Sequence, residues 1–128
     1  MYDFQTIPPG TVLIEEGSHD ARLLMLESGT VEITKDGVKI AELAQRGTFI
    51  GELSAILKAP RSCTVKTVTE CDILILADRI ESITQNNPML TQRILEELAQ
   101  RVVDSTRELA AIKHEVLAFQ SEVPERSV

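Results

Sequence analysis

The chain has 128 residues, 43% hydrophobic and 26% charged, with a formal charge of −7, an aromatic content of 3% and no Trp. This length suits one domain and the composition is ordinary globular usage, which excludes wholesale disorder and fibrous repeats. The acidic balance opposes phosphate backbones, no basic stripe offsets it, and too few aromatics remain to stack bases, so no direct nucleic-acid contact is expected. The opening MYDFQTIPPG has neither a basic nor an apolar leader region, and no run approaches the roughly 18 apolar residues of a membrane span. Cys63 and Cys71 lie in apolar, strand-like sequence and read as free thiols of a reducing compartment, so a cytoplasmic protein is expected.

Up to Ala77 the chain consists of short β-branched runs between turns, and all six glycines, at positions 10, 17, 29, 37, 47 and 51, fall there. Strands are predicted at residues 12–15, 23–27, 31–34 and 38–43, the last two joined by a hairpin turn at Asp36-Gly37. Residues 52–57 read as one or two helical turns closed by Pro60, and strands resume at 64–68 and 72–76. Many short strands with glycine turns and one short helix predict a mainly β fold with α elements, a double-sheet jelly roll.

After Ala77 the pattern changes: Asp78 is placed as N-cap of a short helix ending near Asn86-Asn87-Pro88, and a long helix follows from Pro88. On it Leu95, Leu98, Val102, Ser105, Leu109, Ile112, Val116 and Phe119 alternate three and four residues apart, a heptad seam interrupted by one hydroxyl. A helix this long outreaches a small barrel. The seam residues Leu98, Val102, Leu109, Ile112 and Val116 therefore predict a homodimer through the C-terminal helix in preference to packing within one chain. One domain is expected over residues 1–120, with a β-roll at about 6–77 and a hinge and long helix at about 78–120, followed by a flexible polar tail at 121–128.

Scarcity removes most chemistry. His19 and His114 lie in different halves and read as surface residues, so a metal centre of the kind built from clustered histidines has no ligands. No nucleophile elbow, zinc motif or triphosphate loop occurs, and no enzyme is expected. What remains is the stretch GTFIGELSAILKAPRSCTV from Gly47. Glycine at 51 removes side-chain bulk where a helix begins, so the backbone N–H groups of residues 52–54 can point at an anion. Arg61 supplies a permanent, bidentate positive charge, and Ser62 adds neutral donors. Glu52 only accepts hydrogen bonds, which suits a ligand hydroxyl beside the phosphate, as a ribose offers. Singly, each residue favours a structural role, Glu52 as dipole compensation at a helix start and Arg61 as its ion-pair partner across the turn.

Together, G-E-L-S-A-I-L-K-A-P-R-S-C-T-V resembles the phosphate-binding cassette of cyclic nucleotide-binding domains, and the glycine turns and the Gln85-Asn86-Asn87-Pro88 hinge followed by a long helix extend the likeness over roughly residues 6–119. The resemblance implies a double-stranded β-helix with a short cassette helix and a long C-terminal helix. It makes Glu52 the acceptor of the ribose 2′-hydroxyl, Arg61 the partner of the cyclic phosphate, and Gly51, Leu53, Ser54, Ser62 and Cys63 its neighbours. Ser105-Thr106 is similar to the hydroxyl pair with which the catabolite-activator branch meets the purine, and Ile33 with Ala41 would wall the base. The implied ligand is cyclic AMP in preference to cyclic GMP, with no other cofactor. Thr48 stands where the family often has aspartate, Cys63 where a small alanine is usual, the family's N-terminal helix is missing or very short, and the sequence stops where a winged helix-turn-helix would begin. The expectation is thus a stand-alone sensor with a possible downstream protein partner. The alternatives are a ligand-free structural or interaction module of the same fold, a transcription factor, and a metal-dependent enzyme of related fold.

Overall fold

Glycine turns cut the first half into strands, and the computed structural model, which describes residues 2–122, pairs them into two antiparallel four-stranded sheets. In chain order these are β1 (Asp3–Ile7), β2 (Val12–Ile14), β3 (Leu23–Ser28), β4 (Val31–Lys35), β5 (Val38–Leu43), β6 (Phe49–Ile50), β7 (Thr64–Thr67) and β8 (Cys71–Ala77). One sheet has the order β1-β8-β3-β6 and the other β2-β7-β4-β5, the crossed-over pairing of a jelly roll. The core lies between them. Leu24, Leu26, Ile50, Cys71 and Ile73 from the first sheet meet Ile14, Val31 and Val65 from the second. The strand β3 is buried on both faces, since Leu23 and Met25, which alternate with the core residues, are covered as well.

Two strands were not anticipated. The strand β1 pairs along its whole length with β8, from Asp3↔Ile75 to Ile7↔Cys71, so the roll starts ahead of residue 6. Two residues of β6 close the edge beside Leu24 and Met25, too short a run to carry a period.

Helix α1 (Glu52–Leu57) starts and ends where its sequence predicts. Helix α2 (Ile80–Asn86) does not, because Arg79 and not Asp78 is its N-cap, and it makes no side-chain capping bond. The cause is β8, whose pairing continues to Leu23↔Ala77 and leaves Asp78 in the connection. Helix α3 (Pro88–Glu122) has proline at its first position, with the Asn87 side chain accepting from the Leu90 N–H at 3.0 Å. Its 35 residues make a rod of about 50 Å. Residues 121 and 122 are still helical, and the rest of the expected tail, 123–128, lies outside the described residues. The chain divides into two units at Thr91/Gln92. No described helix is long and apolar enough to cross a membrane.

Candidate phosphate-binding site

The site is built around one left-handed residue. Gly51 caps α1 at φ 85°, and a Cβ there would stand 2.3 Å from Arg61 Nη1. Both facts favour glycine, one through the backbone and one because a side chain there would displace the guanidinium. Behind it Arg61 is only 3% exposed. Its Nη1 donates to the Gly51 carbonyl at 2.7 Å and to Ser54 Oγ at 2.6 Å, and its Nη2 donates to the Arg22 carbonyl and lies 3.5 Å from Asp20 Oδ1. Its Nε–H is buried without a partner. The guanidinium thus clamps the first turn of α1 to the β2–β3 connection.

That connection holds the chain on the far side of Arg61 too. Gly17 N–H donates to the Arg61 carbonyl at 2.8 Å, and Arg61 N–H donates to Ser18 O at 2.9 Å. Asp20 accepts from Arg22 Nε and Nη2 and from the Arg22 backbone N–H, so one carboxylate faces two guanidinium groups. Burial would raise its pKa, but the Arg22 hydrogen bonds and the charges of Arg22 and Arg61 outweigh that and hold it below the usual carboxylate range. For Arg61 burial dominates and lowers the pKa against the pull of Asp20, which leaves it charged.

Of the cassette residues predicted from sequence, Gly51, Glu52, Ser54 and Arg61 come together, Glu52 being 3% exposed. Leu53 turns outward and is 52% exposed. Ser62 is exposed and Cys63 half-buried, with the Ser62 hydroxyl donating toward Cys63 Sγ at 3.7 Å. Ile33 and Ala41 sit directly opposite each other on β4 and β5, and Ile33 also packs on the core. On α3, Ser105 and Thr106 are exposed, and the Thr106 hydroxyl donates to the Val102 carbonyl at 2.8 Å. Among the seam residues Leu98 is half-buried, whereas Val102, Leu109, Ile112 and Val116 are exposed.

Asp20 and Arg22 were missed. Nothing local marks them, since they stand some forty residues from Arg61 and meet it only because β3 and the cassette share a sheet end. A cavity of about 440 Å³ opens elsewhere, between Tyr2, the end of β8 and α2, and contains none of the predicted site residues. Among the described residues, no three His, Cys, Asp or Glu side chains gather as a metal site.

Comparison with known proteins bears on the fold and the family. A cAMP-dependent protein kinase regulatory subunit from Pyricularia oryzae is 38% identical over 73 residues, which cover 56% of this chain and 19% of that protein. The human potassium/sodium hyperpolarization-activated cyclic nucleotide-gated channel 4 is 23% identical over an alignment covering 94% of this chain and 13% of the channel. The chain therefore spans less than a fifth of the length of either relative. Among solved structures, the Thermus thermophilus catabolite activator protein matches with a TM-score of 0.69 at 23% identity, over 88% of this chain and 55% of that one. The regulatory domain of Toxoplasma gondii PKA, solved with cAMP, matches with a TM-score of 0.64 at 17% identity, over 77% of this chain and 39% of that one. These two likenesses show the fold. The family profile described as cyclic nucleotide-binding domain matches residues 4–87, nearly two-thirds of the sequence, and the chain belongs to that family.

Proposed function

We propose that the chain is a cyclic nucleotide sensor that takes cyclic AMP in preference to cyclic GMP, holding the cyclic phosphate at Gly51–Ser54, Arg61, Ser62 and Cys63 and the ribose 2′-hydroxyl at Glu52. The observation that carries this reading is the buried Arg61 guanidinium beneath the opening turn of α1, with one N–H unsatisfied. Two positive features converge there, a charged side chain and the positive end of a helix start, and a bound anion answers both.

The mechanism follows from what Arg61 gives up. Its bonds to the Gly51 carbonyl and Ser54 hydroxyl are to neutral acceptors, and a phosphate oxygen competes with both as the stronger, charged partner. Their exchange frees the first turn of α1. Helix α1 leads on to α2 through packing and through the Lys58–Glu81 ion pair, and α2 runs into α3 across Asn87, so a shift at the cassette reaches the hinge. The ligand moves this equilibrium only by its difference in affinity for the two arrangements. The base would rest against Ile33 and Ala41.

Output would pass through the exposed α3 seam, as a homodimer or as a surface for a downstream protein partner. The regulatory subunits that resemble the chain are named for cAMP, which supports that base over guanine. The free thiols Cys63 and Cys71 suit a cytoplasmic setting. A second reading, a module of this fold that binds no nucleotide, is favoured by the completeness with which Arg61 Nη1 and Nη2 find acceptors inside the chain. Calorimetric titration with cyclic AMP and cyclic GMP decides between them. We expect saturable binding with cyclic AMP tighter, and Glu52→Gln should weaken cyclic AMP more than its 2′-deoxy analogue, because only the former carries the hydroxyl that Glu52 accepts. No heat with either nucleotide would leave the second reading.

A further inference from the structure

On the reading that the cassette binds a cyclic phosphate, we infer that Lys35 is a positioning residue for it, acting through the backbone of Ser62. Main-chain pairing between β4 and β7 runs from Val31↔Thr67 to Thr34↔Thr64 and stops there. The next antiparallel pair would join Lys35 to Cys63, but β7 has not yet begun. In place of a backbone bond, the Lys35 ammonium donates to the Ser62 carbonyl at 2.8 Å. A side chain thus extends the ladder by one rung, into the stretch between Arg61 and Thr64.

The ammonium is itself held. Glu16 lies 4.0 Å from Lys35 Nζ through one carboxylate oxygen and accepts the Asp36 N–H at 3.1 Å through the other, while the Glu16 N–H donates to Thr64 Oγ1 at 3.0 Å. Asp36 stands at φ 51° in the hairpin turn, so this one carboxylate fastens the tip of β4–β5 as it aims Lys35. Three segments remote in sequence meet in this clasp.

Its chemical consequence follows from the planar trans peptide. When Lys35 fixes the Ser62 carbonyl on the hairpin side, the Cys63 N–H of the same peptide unit points to the opposite side. A charged donor on the carbonyl also polarises that unit and makes its N–H a better donor. Lys35 therefore orders the residues after Arg61 and brings a positive charge onto the Ser62 carbonyl, in the residue next to Arg61. The side chain is 47% exposed, so its charge is screened by salt in a way that the buried Arg61 charge is not.

The test is cyclic AMP titration of the wild type, Lys35→Met and Lys35→Arg at several salt concentrations, with thermal unfolding of each. Lys35→Met should bind about five-fold more weakly, as expected for one hydrogen bond from an exposed cation, and its affinity should fall less steeply with salt. Lys35→Arg should recover to within about two-fold and regain the wild-type salt slope, since it keeps both charge and donor. Unchanged affinity in Lys35→Met, or a loss that Lys35→Arg does not recover and that leaves the salt slope intact, would overturn the role while the nucleotide reading stands. Absence of binding by the wild type would overturn both together.

Discussion

The two units of the chain solve opposite problems. In the β-roll the anomaly is charge withdrawn from water, with Arg61 and Glu52 each 3% exposed amid a core of Leu, Ile and Val. On α3 beyond Thr91 the anomaly is apolar surface offered to water, with Leu109 at 67%, Val102 at 66% and Ile112 at 57%. Burial of a cation costs several kcal/mol unless each of its donors is answered, and exposure of a long apolar stripe forfeits the gain that burying it would bring. On the proposed reading these are two unfinished surfaces, one to be completed by an anion and the other by a protein. The difference teaches where to look for input and where for output.

The sharpest way to break this comparison is to spoil the helix and leave the roll alone. Replacing both Leu109 and Ile112 by Glu places carboxylates where a two-fold seam would bury them, a penalty of several kcal/mol per dimer. Light scattering is expected to give a dimer for the wild type and a folded monomer for this variant, and a monomeric wild type would overturn the proposed self-association of α3.

Next in size is Arg61→Ala. Losing the buried cation removes a charge-assisted contact of about 1.5 to 3 kcal/mol, so calorimetry should show cyclic AMP binding weakened by roughly 10- to 150-fold with the dimer unaffected. Undiminished affinity would detach the cassette from the ligand.

Asp20→Asn should have the smallest effect, about five-fold in affinity, because Arg61 keeps its bonds to Gly51, Ser54 and Arg22 when the facing charge is removed. It also sharpens the comparison through pH. The Asp20 carboxyl titrates lower in the folded chain than in the unfolded one, so its stabilisation is complete above the ordinary carboxylate range and is lost as pH falls through the lowered value. In thermal unfolding from pH 7 down to about 3, the wild type should lose more of its melting temperature than Asp20→Asn, with the difference confined below about pH 5. Parallel curves would mean that another carboxylate governs acid unfolding.

How much of this was visible in the residues depended on distance along the chain. Gly51, Glu52, Ser54 and Arg61 fall within eleven positions, and the need for a tight turn, a helix start and a bidentate cation can be read inside that window. Strand β5 and helix α1 were read to the residue because glycine and proline bracket them. The strand β1 was not, since Asp3–Ile7 becomes a strand only by pairing with β8 some seventy residues later. Asp20, Arg22 and Lys35 carry no local mark at all. Each is an ordinary surface-type residue until the two sheets close and bring it to the cassette. The Asp78 cap failed for a related reason, because pairing with Leu23 carried β8 one residue past its apolar run.

Gly51 and Arg61 contend for the same space, for a Cβ at 51 would sit 2.3 Å from Nη1 and 3.0 Å from Cζ of the guanidinium. The two positions are therefore coupled, so that a change at 51 is felt first at the arginine. A side chain at position 51 would push the guanidinium off its bonds to the Gly51 carbonyl and Ser54, and the positive φ there favours asparagine over a branched residue. The combination that this geometry disfavours is a bulky residue at 51 beside an arginine held in its present place at 61.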